Sequence, residues 1–365
     1  TVEVDSVGQT RKGAETMRAA RLHGIGDLRI DQLPVPTPGP GEVLLQVAMV
    51  GVCGSDVHYY REGRIGDQIV RAPLILGHEF SAWVAELGEG VTSLSKGQLV
   101  AADPAIPCWR CEPCQEGNPN LCTHVRFSGT PPVDGVYAEY VVMPAENCFA
   151  LPEAMDPTEG ALLEPLGIGI HTVDLAHLKP GQTVAVLGAG PIGLLTAAAA
   201  RVNGAGAVFM SEPLAARREF ARGYVADAAL DPQQEDVVAE IMRLTGGRGV
   251  DVAFDAAGAP DTPNQAAEVT RPGGHMVIVG TPANDQLNLR SFTVRVKGLT
   301  IRLVRRMKHT YPRSIRLVES GAIALKPLVT HTFPLTRITE AFELLSVYGD
   351  GVVKAVIEVS SVPPA

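Results

Sequence analysis

The chain has 365 residues, a formal net charge of −9, 45% hydrophobic residues and 19% charged residues. The acidic balance argues against nucleic acid and anionic membranes as partners, and the length suffices for two domains with full cores. Six cysteines used as free thiols and metal ligands suit a reducing compartment, so the cytoplasm is the expected location.

Residues 1–16 are polar and lack an apolar stretch. They read as a flexible extension ahead of Met17-Arg-Ala-Ala-Arg-Leu rather than as a secretory signal. From Met17 to about Leu163, Gly and Pro punctuate short β-rich runs at Glu42–Val50, Ser81–Leu87, Gln98–Ala102 and Tyr137–Met143. This is the pattern of a barrel-like β domain with long functional loops.

Within that region lies Cys108-Trp-Arg-Cys111-Glu-Pro-Cys114, followed by Cys122. Four cysteines in fifteen residues match the tetrahedral demand of a closed structural zinc site, in a lobe of about residues 103–124. Disulfides would make strained loops between C-x2-C pairs, and the spacing differs from the usual iron–sulfur patterns. A closed four-thiolate site leaves no open position for substrate.

From about Glu164 to Leu303 the pattern changes. Strands are expected at Thr183–Leu187, Ala207–Met210, Val250–Asp255, His275–Val279 and Leu299–Leu303, with helices at Ile192–Asn203, Leu214–Gly223 and Asp236–Thr245. Alternating strands and helices build a parallel, doubly wound sheet. Pro180 to Ala200 is uncharged and long enough to span a bilayer, but its glycines fit a strand, turn and helix better. The tail adds a helix at Tyr311–Glu319 and a strand at Lys354–Val359 that could return to the first domain.

Gly188-Ala-Gly190-Pro191-Ile192-Gly193 follows the first of these strands and opens a helix. The first glycine makes the turn, the second admits a pyrophosphate and the third lets helix and strand pack. Glu212, nineteen residues after Gly193, sits where a carboxylate accepts from ribose hydroxyls, favouring NAD over NADP. A helix-start carboxylate before Pro213 is the alternative. Arg217 and Arg218 keep NADP open, with a solvated helix face as their plainer reading.

Cys53, His78-Glu79 and Glu164 sit in loop-like contexts far apart in the chain. Singly, each has an ordinary reading as a buried thiol, a satisfied histidine or an ion-pair partner. Together they form the mixed S/N/O set, with an open position, that a catalytic zinc requires.

With these segments assembled, the chain resembles the zinc-dependent medium-chain dehydrogenases from about Met17 to near its end. The carrying segments are Val52-Cys53-Gly54-Ser55-Asp56-Val57-His58-Tyr59, Gly77-His78-Glu79-Phe80, the cysteine lobe, Glu164-Pro165 and Gly188–Gly193. Ser-Asp-Val-His-Tyr after Cys53, Glu164-Pro165, Phe127-Ser-Gly-Thr130 and Arg306 are similar to the polyol branch, the sorbitol, iditol and xylitol dehydrogenases.

The resemblance implies a GroES-like barrel for residues 17–163 and 304–365 and a Rossmann domain for 164–303. It implies catalytic zinc on Cys53, His78 and Glu79, with Glu164 as a direct ligand or a holder of the bound water. Ser55 would pass a proton, with His58 either supporting the site or serving as a loop residue. Tyr59, Phe127, Thr130 and Arg306 would line the substrate pocket. Gly188, Gly190, Pro191, Ile192, Gly193, Glu212 and Arg217 would hold NAD. The implied reaction is reversible oxidation of a polyol secondary alcohol to a ketose, by a homotetramer or dimer. Butanediol and threonine dehydrogenases of the same family are the alternative, followed by a non-enzymatic nucleotide-binding protein. Ala82, Met307 and Ser128-Gly129 depart from the branch pattern, and the last two departures are expected to bear on the pocket.

Overall fold

The computed structural model describes residues 15–282 and 286–364. Most of the expected N-terminal extension lies outside the described residues, and the chain is already in a strand at Thr16–Gly24. That strand pairs with Asp27–Pro34 and Leu74–Ile75 in a three-stranded sheet. A larger, seven-stranded sheet centres on Glu42–Gly51, flanked by Glu79–Leu87, Tyr140–Pro144 and Lys354–Glu358. The tail thus returns to the first domain, 302 residues along the chain from Val52. Leu45, Val47, Val50, Phe80, Tyr137 and Phe342 share the core between these sheets.

The second domain is a six-stranded sheet, all parallel, in the order Ala228–Leu230, Ala207–Ser211, Thr183–Leu187, Val250–Asp255, Thr270–Ile278, Thr300–Leu303. Period-two alternation separates two cores. Val184, Val186, Val208 and Met210 face one layer of helices, while Ala185, Leu187, Phe209 and Val250 face the other. The order reverses between Thr183–Leu187 and Val250–Asp255, the topological switch point at which sheets of this kind bind their ligands. Strand Ala228–Leu230, too short to give a periodic signal, was not expected from the sequence.

Two expected boundaries differ. The division at 163/164 falls inside the helix Pro157–Ala176, whose capping box at Asp156 and Glu159 starts it seven residues earlier. This helix packs against both domains. Residues 304–328, expected with the barrel, instead place Met307, Tyr311, Val318, Leu325 and Leu328 in a core shared with Leu194 and Val184. The reason is the one-sided helix Tyr311–Glu319, which buries Tyr311, Ser314 and Val318.

Candidate functional site

In the lobe, Cys111 precedes the short helix Glu112–Gln115 and Cys122 closes the turn Pro119–Leu121. The four sulfurs lie within 4.8 Å of one another. The Cys111 sulfur stands 3.5 Å from that of Cys114 and 3.8 Å from that of Cys122. Zinc–sulfur bonds of about 2.3 Å give tetrahedral edges of about 3.8 Å, so the cage fits that ion. Amides of Cys108 and His124 donate to the Cys122 sulfur at 3.2 and 3.4 Å. N–H donation from Cys114 and Thr123 lowers the Cys111 thiol to about 6, while burial pushes Cys114 up to about 12. Four thiolates this close repel one another, and a bound cation lets all of them ionise.

The second cluster is assembled from separate elements. Cys53 is the N-cap of the helix Gly54–Glu62. His78 immediately precedes the strand Glu79–Leu87, of which Glu79 is the first residue. Their ligand atoms also lie within 4.8 Å of one another. Of the expected loop positions, Cys53 thus caps a helix, Glu79 starts a strand and Glu164 lies inside a helix. Regular elements hold ligands more rigidly than loops do.

Asp56, fully buried, orients this cluster. Its Oδ2 accepts from the Cys53 amide at 3.1 Å and the Tyr137 hydroxyl at 2.9 Å, and its Oδ1 accepts from the Gly77 amide at 3.2 Å. His78 Nδ1 lies 3.6 Å from Oδ1, leaving Nε2 for a metal. Burial works against the imidazolium, but the charges of Asp56 and Cys53 outweigh it and raise His78 well above the usual histidine range. The pocket is rich in negative charge, which a divalent cation would balance.

Glu79 also pairs with Lys354, both of them buried, and the Lys354 ammonium donates to the Val52 carbonyl at 2.9 Å. Any side chain at Gly51 would strike the Glu79 carboxylate. Asp56 lies within the Cys53–Tyr59 segment with no role legible from the sequence, and Lys354 carries no sequence signal for this site, being revealed only by the return of the last strand.

Glu164 is buried beside the cluster but is not among the three converging ligands. Burial pushes its carboxyl up to about 8, with the charges of Glu79 and Asp103 adding to the effect and those of His78 and Lys354 opposing it. Pro165 follows within the helix and cannot donate to the carbonyl of Ala161. Ser55 is half-buried in the first turn after Cys53. His58 is not a loop residue. It lies on the same helix, partly exposed, with Nδ1 3.3 Å from Glu62.

The Phe127 ring lies 5.3 Å from that of His78, and the Arg306 guanidinium lies over the Phe127 ring, 4.4 Å from its centroid. Tyr59 is buried, with its hydroxyl 3.3 Å from Gln68 Oε1 and hydrogen-bonded to Thr130. Arg306 is left-handed at φ 54, and its Nη1 is buried with no hydrogen-bond partner among the described residues. Burial lowers its pKa to about 10. A buried, unpartnered guanidinium nitrogen is costly, and a polar ligand would satisfy it.

The two departures expected to bear on the pocket are both packed into the interior. Met307 is buried against the helix Pro157–Ala176, where a side chain at Gly167 would strike its sulfur. Ser128 is buried, and Gly129 has φ 74 with no room for a Cβ against Gly77.

The glycine turn follows Thr183–Leu187 and opens the helix Pro191–Val202. Gly188 has φ 100, and a Cβ on Gly193 would meet the Gly188 carbonyl oxygen at 2.0 Å. A Cβ on Gly190 would have only the Arg217 Nη1 nearby, at 3.7 Å, so a phosphate can approach the backbone there. Pro191 and Ile192 form the first turn of the helix, with no side-chain cap on its amides. Glu212 accepts from the amides of Ala189 at 2.9 Å and Leu214 at 3.0 Å, so it ties the turn to the next strand.

Arg217 and Arg218 are not a solvated face. Arg217 is buried, donates to the Val352 carbonyl at 2.9 Å and lies 4.9 Å over the Tyr348 ring. Arg218 pairs with Asp231 at 2.6 Å and donates to the carbonyls of Glu212 and Pro213. Their helix packs against the strands on its inner side, which draws both guanidiniums to fixed partners.

Residues 39–153 match the alcohol dehydrogenase GroES-like domain and residues 191–320 match the zinc-binding dehydrogenase domain. Sorbitol dehydrogenase of Bacillus subtilis is 39% identical over 329 residues, 90% of this chain and 93% of that protein. D-xylulose reductase A of Aspergillus oryzae is 38% identical over 88% of this chain and 91% of that protein. An Escherichia coli oxidoreductase of unknown specificity superimposes with a TM-score of 0.91 at 32% identity, covering 95% of this chain and 100% of that one. The 2R,3R-butanediol dehydrogenase of Bacillus subtilis gives 0.85 at 33% identity, covering 94% and 100%. The chain belongs to the zinc-dependent medium-chain dehydrogenases, in their polyol branch. It is an oxidoreductase whose cofactors are zinc and NAD. No helix among the described residues is long and apolar enough to cross a membrane.

Proposed function

We propose that the protein catalyses reversible oxidation of a polyol secondary alcohol, of the sorbitol or xylitol type, to a ketose. The observation that carries this reading is the convergence of Cys53, His78 and Glu79 near Arg306, whose buried Nη1 has no hydrogen-bond partner among the described residues. Zinc on the first three residues supplies Lewis-acid polarisation of the substrate hydroxyl, and NAD on the glycine turn supplies the hydride acceptor.

The chain's own groups do the positioning. Asp56 fixes the His78 ring through Nδ1, and Lys354 holds the Glu79 carboxylate. Glu164 supplies an oxygen to the cluster from the long helix, directly or through water. Ser55 Oγ accepts the proton of the reacting hydroxyl as it gives up its own. His58, on the partly exposed side of the same helix and beside Glu62, carries that proton toward solvent. Arg306 binds hydroxyls next to the reacting carbon, while Phe127, Tyr59 and Thr130 form the wall behind it. Gly188 to Gly193 cradle the pyrophosphate, and Glu212 and Arg217 flank the adenosine end.

The assembly we propose is a cytoplasmic homotetramer or dimer. Thr300–Leu303 is an edge strand of the parallel sheet, with Leu303 exposed. Phe292 and Val296 are exposed on the preceding helix, a pattern that suits pairing across a two-fold. Sedimentation of the purified protein tests this.

The activity test is NAD reduction with sorbitol, xylitol, galactitol, L-threonine and 2,3-butanediol, before and after chelation, with NADP alongside. We expect polyol oxidation with NAD, lost on chelation and restored by zinc. Turnover confined to butanediol or threonine would replace the polyol reading. Chelator-insensitive turnover would remove the catalytic zinc from it.

A further inference from the structure

The four-cysteine lobe does more than stabilise its own loop. The turn Pro119–Leu121, immediately before Cys122, buries Asn120 to 7% exposure. Asn120 Nδ2 donates at 3.0 Å to the carbonyl of Arg305, 185 residues away. The neighbouring Asn118 Oδ1 accepts from Lys308 Nζ at 2.7 Å. The lobe therefore grips both ends of the segment Arg305–Lys308, which carries Arg306 in its middle.

That segment needs holding. Arg306 and His309 are non-glycine residues in the left-handed region, at φ 54 and 51. Such backbone persists where surrounding contacts over-determine it. Met307 anchors one side of the segment in the core beside the helix that bears Glu164. Asn120 and Asn118 anchor the other. The chain of contact runs from the cysteine cage to Asn120, to the Arg305 carbonyl, to the Arg306 guanidinium, to the Phe127 ring and to His78.

We infer that Asn120 is a positioning residue for substrate specificity: through the Arg305 carbonyl it sets the place of Arg306, and so couples the zinc lobe to recognition of the hydroxyls beside the reacting carbon. This rests on the proposed role of Arg306 as a polyol contact. The second tie, Lys308 to Asn118, serves the same purpose from the other end of the segment.

The test uses the full chain with both zincs retained, checked by metal analysis. Asn120→Leu removes the donor at near-equal volume, and Lys308→Met breaks the second tie should the first variant lose metal. Hydrogen–deuterium exchange should accelerate in the peptide spanning residues 304–310 and stay unchanged in Thr183–Leu187. The KM for xylitol or sorbitol should rise roughly five- to tenfold, the range set by one lost hydrogen bond. The KM for NAD, and kcat/KM for 2-butanol, which has no neighbouring hydroxyl, should hold. In an Arg306→Ala background, Asn120→Leu should add no further rise.

Unchanged exchange in residues 304–310 would overturn the inference, and so would an equal loss on 2-butanol and polyol. Faster exchange without any change in polyol KM would leave the tie in place and remove Arg306 from substrate binding. The failure of the proposed function is thereby distinguished from the failure of the lobe's grip.

Discussion

Cys108, Cys111, Cys114 and Cys122 come from fifteen consecutive residues, whereas Cys53, His78 and Glu79 come from a helix cap, a loop end and a strand start. The first cage is closed by its own turns and by amides of the same loop. The second exists only because the strand Glu42–Gly51 pairs with Glu79–Leu87 and so brings Gly51 opposite Glu79, with Cys53 two residues beyond Gly51. A metal cage built locally can close all four positions. One assembled from remote elements leaves a position free and takes its orientation from buried partners such as Asp56 and Lys354.

The sharpest way to break the comparison is to remove one ligand from each cage. Cys53→Ala should reduce turnover to background and lower the zinc content by one ion per protomer, with little change in melting temperature. Metal analysis beside NAD reduction reads both. Cys111→Ser should act first on stability. Unfolding free energy should drop by about 2–5 kcal/mol, as for the loss of other loop staples, while Cys53, His78 and Glu79 keep their ion. If Cys53→Ala destabilised the protein as much as Cys111→Ser, the division of labour between the cages would be wrong.

A smaller effect tests orientation rather than ligation. Asp56→Asn keeps the shape but loses the charge facing His78 and one acceptor for the Cys53 and Tyr137 donors. Zinc affinity at the catalytic cage, or activity at fixed zinc, should fall by about 10- to 100-fold. The lobe should keep its ion under the same chelator concentration. Competition with a chromophoric chelator resolves the two classes of zinc.

This contrast also governs what could be read in advance. The lobe, the glycine turn and the strands Thr183–Leu187 and Val250–Asp255 are local patterns, and their signals lie within one window of residues. Cys53, His78, Glu79 and Glu164 could be named only because their segments resemble a family. Nothing in their spacing demands convergence, and their loop-like flanks concealed a cap, a strand start and a helix interior. Lys354 is invisible for a stronger reason. A buried lysine reads as a surface residue until the last strand is placed against Glu42–Gly51. Asn120 is likewise an ordinary turn residue until residues 305–308 arrive beside it. Met307, a departure from the family pattern, likewise shows its place only in the structure, where its side chain faces the core.

The cofactor cradle stands between the two extremes, with a local glycine turn and a remote clamp, and Arg217 measures the clamp alone. Its guanidinium joins the doubly wound domain to the loop before the final strand through the Val352 carbonyl and the Tyr348 ring. It also stands nearest to the open face of Gly190. Arg217→Met keeps much of the buried stem and removes the donors and the charge. A guanidinium contact to the cofactor at the open face of Gly190 is worth about 1–2 kcal/mol, so the KM for NAD should rise roughly five- to thirtyfold. The KM for polyol and both zinc ions should be untouched, because Arg217 itself pairs with no residue of either cage among the described residues. Fluorescence titration with NADH gives the same comparison at equilibrium. An unchanged NADH affinity, with loss of stability alone, would reduce Arg217 to an interdomain strut and leave the glycine turn and Glu212 as the whole of the cradle.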